Sequence, residues 1–394
     1  MNPILALTGV FFIGVGAVIL ISRFEYNRSD TAIGVLALAP QIENCMAENA
    51  GGARARCYND LFADYLERYD PESLFAQFEK AMSESADIRR DCHQVIHAIG
   101  RETHAVVKNI ADTFEMGRDL TLCAGGYFHG AVEKMFRPSV NSGQDPDNEP
   151  IEEHISAGEL ETKIPVLCAA VKDESRKDEC YHGIGHGTLY LLEDLTKSLG
   201  FCNLILTKQN HFSCYSGVFM EHELSGMAFD VNVDDPHYPC RDFKSQQLYA
   251  CYYVQSFRLV RLGFSKEDIV KTCREAPSPA GAMCVRGYGI FHLAHEALAE
   301  GFPPTVQFCE SLDRANARVC AEAVASRLAA HMTSGELAMP FCALFESEYI
   351  RKRCFNYTAD VLRLGHKIDR DALIADCREY VADASRAEEC VAEA

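Results

Sequence analysis

Residues 168–214, CAAVKDESRKDECYHGIGHGTLYLLEDLTKSLGFCNLILTKQNHFSC, contain two cysteine pairs of the same spacing. Cys168 and Cys180 are 12 residues apart, and so are Cys202 and Cys214. On one straight helix such a pair would be about 18 Å apart, whereas a disulfide needs Cα atoms about 4.4–6.8 Å apart. If the cysteines bond, the chain must therefore reverse between them, and the polar residues 172–176 permit a turn. The stretch predicts antiparallel helix pairs, each closed by a disulfide.

The same cysteine spacing recurs along the chain, which has 18 cysteines. Sixteen of them fall into eight pairs separated by 11 to 13 residues: Cys45/Cys57, Cys168/Cys180, Cys202/Cys214, Cys240/Cys251, Cys273/Cys284, Cys309/Cys320, Cys342/Cys354 and Cys377/Cys390. Cys92 and Cys123 remain and pair by elimination. Reduced buried cysteines or zinc sites are the alternative, but structural zinc favours close C-x2-4-C pairs, which the sequence lacks. Disulfides in this number indicate an oxidising, extracytoplasmic compartment, periplasmic or at the cell surface.

A longer period underlies the cysteine pairs. From Cys168 onward, the first cysteines of successive pairs are 34, 38, 33, 36, 33 and 35 residues apart, and such a period is typical of helix–turn–helix repeats. We therefore predict an all-α fold, an α/α-repeat solenoid cross-linked by disulfides, from Gln41 to the C-terminus. In period and architecture the chain resembles the tetratricopeptide and Sel1-like repeats. Because it has no Trp, which the tetratricopeptide signature requires, the resemblance implies an architecture and no site residues.

The chain is predicted to have four segments. Residues 1–24 form a transmembrane helix, because residues 4–21 are uncharged and approach the ~20 residues that span a bilayer. A cleavable signal peptide ending near residues 37–39 is the alternative. Residues 25–44 form a linker, residues 45–300 form helical repeats that carry the candidate site, and residues 301–394 form structural repeats. Residues 137–163 form an acidic insertion loop within residues 45–300.

The charge of the chain limits its partners. The net charge is -19, so the surface repels nucleic acid and attracts cations and basic partners. No run rich in Lys or Arg offsets this charge, and nucleic acid is therefore set aside as a partner. The predicted partners are the membrane, through the N-terminal helix, and a protein bound on the concave face of the solenoid.

Histidines concentrate at matching positions of several predicted helices. His93 and His97 are four residues apart, as are His182 and His186, so each pair would share one helix face. Glycines adjoin them, and glycine inside a helix is unfavourable unless a backbone must approach closely. Imidazole and carboxylate on facing helices suit zinc, iron, copper or manganese. We predict nine metal ligands: His93, His97, His104, His129, His182, His186, His222, His292 and His295.

Three glutamates in the same segments could act as general base or as ligands: Glu133, Glu221 and Glu296. The predicted function is a membrane-anchored extracytoplasmic protein with a His/Glu-lined metal site, and whether it is an enzyme stays open. One alternative is a solenoid that binds proteins without chemistry, and a second is non-covalent haem binding. The absence of C-x-x-C-H excludes the usual covalent haem attachment. A histidine outside the cluster, such as His331 or His366, is interpreted as a packing residue.

The sequence also makes a prediction about topology. Arg23 and Arg28 follow the apolar segment and favour a cytoplasmic body, whereas the cysteines favour the opposite side. We expect the cysteines to decide, so a reporter that is active only outside the cytoplasm should be active when fused after Ala394. The full-length protein should remain in the membrane fraction. A soluble body that begins near Pro40 would instead identify the apolar segment as a cleaved signal peptide.

Overall fold

The structure, a computed structural model, describes residues 37–48, 51–117, 122–136, 155–224, 234–332 and 334–394. Within these ranges the chain forms helices and no strand, which confirms the all-α prediction. Among the helices of these ranges, none combines the length and the apolar character needed to cross a membrane. The predicted anchor at residues 1–24 and most of the predicted acidic loop lie outside the described residues.

Four helices of the first half begin at a residue whose side chain caps the helix. Asp70 accepts a hydrogen bond from the Ser73 amide at 2.7 Å and precedes Pro71 at the first helical position, a combination that favours helix initiation. The helices are α1 (Leu38–Met46), α2 (Gly51–Leu66), α3 (Pro71–Glu84), α4 (Ala86–Val107), α5 (Ile110–Met116), α6 (Gly126–Phe136), α7 (Leu160–Leu167), α8 (Glu174–Leu192), α9 (Leu195–Cys202) and α10 (His211–Leu224). Helix α1 thus begins inside the segment predicted as a linker, and α7 begins inside the predicted acidic loop.

The second half of the chain likewise consists of consecutive helices. They are α11 (Ser245–Val254), α12 (Ser256–Arg261), α13 (Lys266–Glu275), α14 (Ala280–Tyr288), α15 (Ala294–Glu300), α16 (Phe302–Ser311), α17 (Arg314–Ala329), α18 (Ala338–Ala343), α19 (Glu348–Gly365), α20 (Arg370–Tyr380) and α21 (Ala384–Glu393). A π-helix at Gly289–Leu293 joins α14 to α15. Such π-turns inside α-helices often mark functional positions.

The disulfide prediction is confirmed. The eight short-range pairs form, and their Cα atoms are 5.4 to 6.0 Å apart. Cys92 and Cys123 also form a disulfide, with Cα atoms 5.6 Å apart. Most short-range bonds join two helices across the turn that connects them, for example α9 to α10 through Cys202 and Cys214. Each bond therefore restricts the angle at which two consecutive helices can separate.

Most of the disulfide-linked pairs contribute one helix to a single row, whose members we call the inner helices. Helices α2, α4, α6, α8, α10, α11, α14, α17 and α19 pack side by side in that order. The row curves, so that α15 also contacts α4. Between these helices lies a cavity of about 970 Å³. The cavity is lined by residues of α2, α4, α6, α8, α10, α11, α12, the π-helix, α15 and α17.

Glycines set the distance between neighbouring inner helices. A Cβ atom on Gly217 of α10 would lie 2.0 Å from the His182 carbonyl oxygen of α8, and one on Gly185 would lie 2.1 Å from the Cys214 carbonyl oxygen. Helices α4 and α6 repeat this contact, with Gly100 against the Tyr127 carbonyl and Gly130 against the His97 carbonyl. No other residue leaves room for backbones this close. The glycines therefore bring the helices that carry the histidine pairs into backbone contact with their neighbours.

Replacement of one such glycine should destabilise the protein measurably. Gly217→Ala should lower the free energy of unfolding by about 1–3 kcal/mol or more, because the new methyl group must displace the backbone of α8. Gly200→Ala is the matched control, since Gly200 lies in α9 with nothing within 4 Å of its added Cβ. It should raise stability by about 0.5–1 kcal/mol through helix propensity. Denaturant unfolding with the disulfides intact measures both, and equal effects would disprove the close-contact explanation.

Candidate metal centre

The first histidine pair lies on α4 and has its outer ring nitrogens bound. His93 Nδ1 lies 2.6 Å from the Cys123 carbonyl oxygen, and His97 Nδ1 lies 3.3 Å from Glu133 Oε1. The Nε2 atoms of the two rings face each other at 3.2 Å. Glu133 is held in turn by Arg101, which donates to its other carboxylate oxygen at 3.0 Å. The two rings are thus fixed from behind and point their free edges at one place.

The second pair lies on α8 and repeats this arrangement. His182 Nδ1 lies 2.9 Å from Ser216 Oγ, and His186 Nδ1 lies 2.9 Å from Glu221 Oε2. The Nε2 atoms of His182 and His186 are 3.1 Å apart. Both acceptors come from α10, the helix that Gly217 brings into contact with α8. The close contact between α8 and α10 therefore sets the distance between each ring and the group on α10 that accepts from it.

The partners of the outer nitrogens determine the tautomers of the four rings. The Cys123 carbonyl and the carboxylates of Glu133 and Glu221 can only accept, so His93, His97 and His186 must donate from Nδ1. Ser216 already donates its hydroxyl proton to the Ser213 carbonyl at 2.8 Å and so accepts from His182 as well. In the neutral rings each Nε2 then carries a lone pair. Two lone pairs that face each other at 3.1–3.2 Å cannot form a hydrogen bond with one another.

His129 of α6 lies between the two pairs. Its ring centre is 5.3 Å from that of His97 and 4.6 Å from that of His182. His93, His97 and His129 each offer one ring nitrogen, and these three nitrogens lie within 4.8 Å of one another. One ion can bridge such a separation. His129 Nε2 also contacts the carboxylate of Glu179 on α8. Gly125, at φ +71°, leaves space for that carboxylate, because a Cβ there would lie 2.5 Å from Glu179 Cδ.

Burial disfavours the charged form of four imidazoles of this site. Burial lowers the pKa of His93, His129 and His182 well below the ordinary value and also lowers that of His97. The positive charge of Arg327 adds to this effect at His93. Burial also raises the pKa of Glu179 to about 7. Neutral imidazole is the form that binds metal ions, so burial favours the ligand form of these four rings.

The structure thus brings together five of the nine histidines predicted as ligands: His93, His97, His129, His182 and His186. We call these the five-histidine cluster. His295 also lines the cavity, but its ring is placed against His331 at 6.4 Å between centres. The other three have partners elsewhere, as follows: His104 with Thr113, His222 with Glu223, and His292 with the rings of Phe257 and Tyr288.

The three predicted glutamates have different positions. Glu133 and Glu221 lie behind the rings of His97 and His186, where they accept from Nδ1 and orient each ring. Carboxylates that accept from the outer nitrogen of a metal-binding histidine generally occupy this place. Glu296 forms an ion pair with Lys266 and does not line the cavity. Arg101 pairs with Glu133 and with the Asn59 amide oxygen, 3.0 Å away.

Sequence reasoning did not select two charged residues that line the cavity, Glu179 and Arg327. Glu179 stands in the only E-x-x-H of the chain, at residues 179–182, and this pattern could have drawn attention to it. Arg327 belongs to residues 301–394, which were predicted to be purely structural. No sequence pattern around Arg327 indicates that α17 closes the cavity opposite α4 and α8.

No protein-family model matches this chain, and comparisons with the curated proteins and with the solved structures give no match either.

Loss of a carboxylate behind the rings should weaken metal binding without abolishing it. Glu221→Gln keeps the size of the side chain but removes the negative charge that holds His186 Nδ1. It should weaken metal binding by about 10–100-fold, as loss of such outer partners does elsewhere. Competition with a chromophoric chelator measures the dissociation constant. Glu296→Gln is the control, because Glu296 pairs with Lys266 away from the cluster, and it should leave the affinity unchanged. An equal loss in both variants would contradict the assignment.

Proposed function

We propose that this protein binds a transition metal ion in the five-histidine cluster, with zinc, iron, copper and manganese as the candidates. The observation that carries the proposal is the pair of facing Nε2 lone pairs, at 3.2 Å in α4 and 3.1 Å in α8. Such contacts are repulsive unless a cation or a proton lies between the rings. Burial disfavours the proton on His93, His97 and His182, and a metal ion remains the better occupant.

The spacing within each pair supports chelation of one ion by both rings. At about 2.0–2.1 Å from a metal, nitrogens in neighbouring coordination positions are about 3 Å apart, and nitrogens on opposite sides are about 4 Å apart. The observed distances of 3.1 and 3.2 Å therefore suit neighbouring positions. Bis-histidine haem requires opposite positions, so this geometry does not favour it. His129 and Glu179 stand between the pairs and could complete or bridge the coordination.

The wider proposal places this site in an extracytoplasmic helical-repeat solenoid that residues 1–24 anchor to a membrane. The nine disulfides support an oxidising compartment, and the ordered row of inner helices supports the solenoid. A catalytic role is a second candidate. It is favoured by the cavity of about 970 Å³ that adjoins the cluster, because catalytic metal sites keep a coordination position open to substrate.

Metal analysis of purified protein tests the proposal. We expect one ion per chain if the cluster shares it, or two if each pair holds its own. The double variant His182→Ala/His186→Ala should lose metal, whereas His366→Ala should retain it, because His366 lies outside the cavity. Metal should also stabilise the wild type, by about 2.7 kcal/mol at a free concentration of 100 times the dissociation constant.

Two results would contradict the metal assignment. A wild-type protein that contains no metal and gains no stability from added zinc, iron, copper or manganese would leave the histidines as packing residues. The protein-binding solenoid would then take first place. A haem absorption band in the purified protein would instead redirect the assignment to bis-histidine haem.

A further inference from the structure

Arg327 is a buried cation in the wall of the cavity. It lies on α17 and is 7% exposed. Among the residues that the structure describes, its side chain forms no ion pair, and its Nε atom has no hydrogen-bond partner. Other buried arginines of this chain are paired: Arg258 with Glu223, and Arg351 with Glu389 and the Phe345 carbonyl. Arg327 therefore differs from its counterparts in lacking an anion.

No carboxylate of the cavity wall forms an ion pair with Arg327 among the described residues. Burial lowers its pKa to about 10, and Glu179 opposes this change; Arg327 is thus still charged at neutral pH. The Glu179 carboxylate already contacts His129. A buried charge without a partner is strongly unfavourable, and a metal ion in the cluster would add more positive charge to the same cavity. The guanidinium of Arg327 therefore lacks an anion, although other carboxylates line the same cavity.

An aromatic wall lies beside this charged region. The rings of Tyr253 and Phe291 are 5.2 Å apart, and those of Phe257 and Phe291 are 5.0 Å apart. Phe212 extends the wall and lies 5.7 Å from Tyr253. All four residues line the same cavity as Arg327 and the cluster. A cavity with an apolar wall and a few convergent polar groups is the usual form of a small-molecule site.

We propose that the cavity binds a small organic anion, whose carboxylate or phosphate group lies between Arg327 and the five-histidine cluster and whose apolar part packs on the aromatic wall. The guanidinium offers two parallel donors to such an oxyanion. The position at the cluster would let the same group reach a bound metal ion. The metal contact rests on the proposed function, whereas the contact with Arg327 does not.

Calorimetric titration with defined anions tests this proposal. Benzoate, acetate and phenyl phosphate are titrated into metal-loaded wild type at constant ionic strength. Benzoate should bind more tightly than acetate because of the aromatic wall, and the phenyl phosphate arm distinguishes a phosphate site from a carboxylate site. Arg327→Met should weaken binding by about 10–100-fold, the range expected for loss of a hydrogen bond to a charged group.

Two further variants make the result interpretable. Arg327→Lys keeps the charge but not the paired donors and should give an intermediate affinity, so it serves if Arg327→Met does not fold. Arg363→Met is the control, since Arg363 is an exposed residue paired with Asp360, and it should bind like the wild type. Without anion, Arg327→Met should melt no lower than the wild type, because it removes a buried unpaired charge.

The outcomes separate this proposal from the metal assignment. Binding that depends on Arg327 supports the anion site, and in His182→Ala/His186→Ala it should persist with reduced affinity even though metal is lost. Absence of binding by all three anions, or equal binding by wild type and Arg327→Met, would overturn it. Neither result depends on metal analysis of the same samples, which judges the cluster independently.

Discussion

The backbone contact between neighbouring inner helices is the constraint on which the site depends. Gly217 against the His182 carbonyl and Gly130 against the His97 carbonyl bring one helix of each pair within reach of the next. At that distance Glu221 and Glu133 can accept from the rings of the adjacent helix. A wider separation would leave the imidazoles without partners and free to rotate. The glycines therefore determine how the histidine rings are oriented, because they place the carboxylates that accept from those rings.

The sequence predicts those parts of the structure that local spacing determines. Cysteines 11 to 13 residues apart can bond only across a chain reversal, so helix pairs and disulfides follow from spacing alone. Histidines four residues apart share a helix face, and the pairs 93/97 and 182/186 do converge. Local spacing does not determine which helices meet in space. His222 and Glu296 are a histidine and a glutamate at helix positions similar to those of the cluster residues. They nevertheless have other partners, His222 with Glu223 and Glu296 with Lys266.

Arg327 is a residue of the cavity that sequence patterns do not identify. Its repeat contributes no histidine to the cluster, and a buried arginine cannot be distinguished from an exposed one by spacing. Its position follows from the closure of the helix row, in which α15 contacts α4 and α17 faces the cavity. The resulting cavity is asymmetric: imidazoles line one part of its wall, an unpaired cation another, and aromatic rings a third. That asymmetry would orient a bound molecule as well as hold it.

The disulfide between Cys92 and Cys123 lies beside the cluster, since Cys92 precedes His93 and the Cys123 carbonyl accepts from His93 Nδ1. The covalent bond thus holds both a candidate ligand and the group that orients it. A newly made chain with free thiols would lack this support. It would compete poorly for metal ions wherever glutathione keeps cysteines reduced, and its loading would wait for oxidation. For the proposed metal site, disulfide formation would in this way determine where and when an ion is bound.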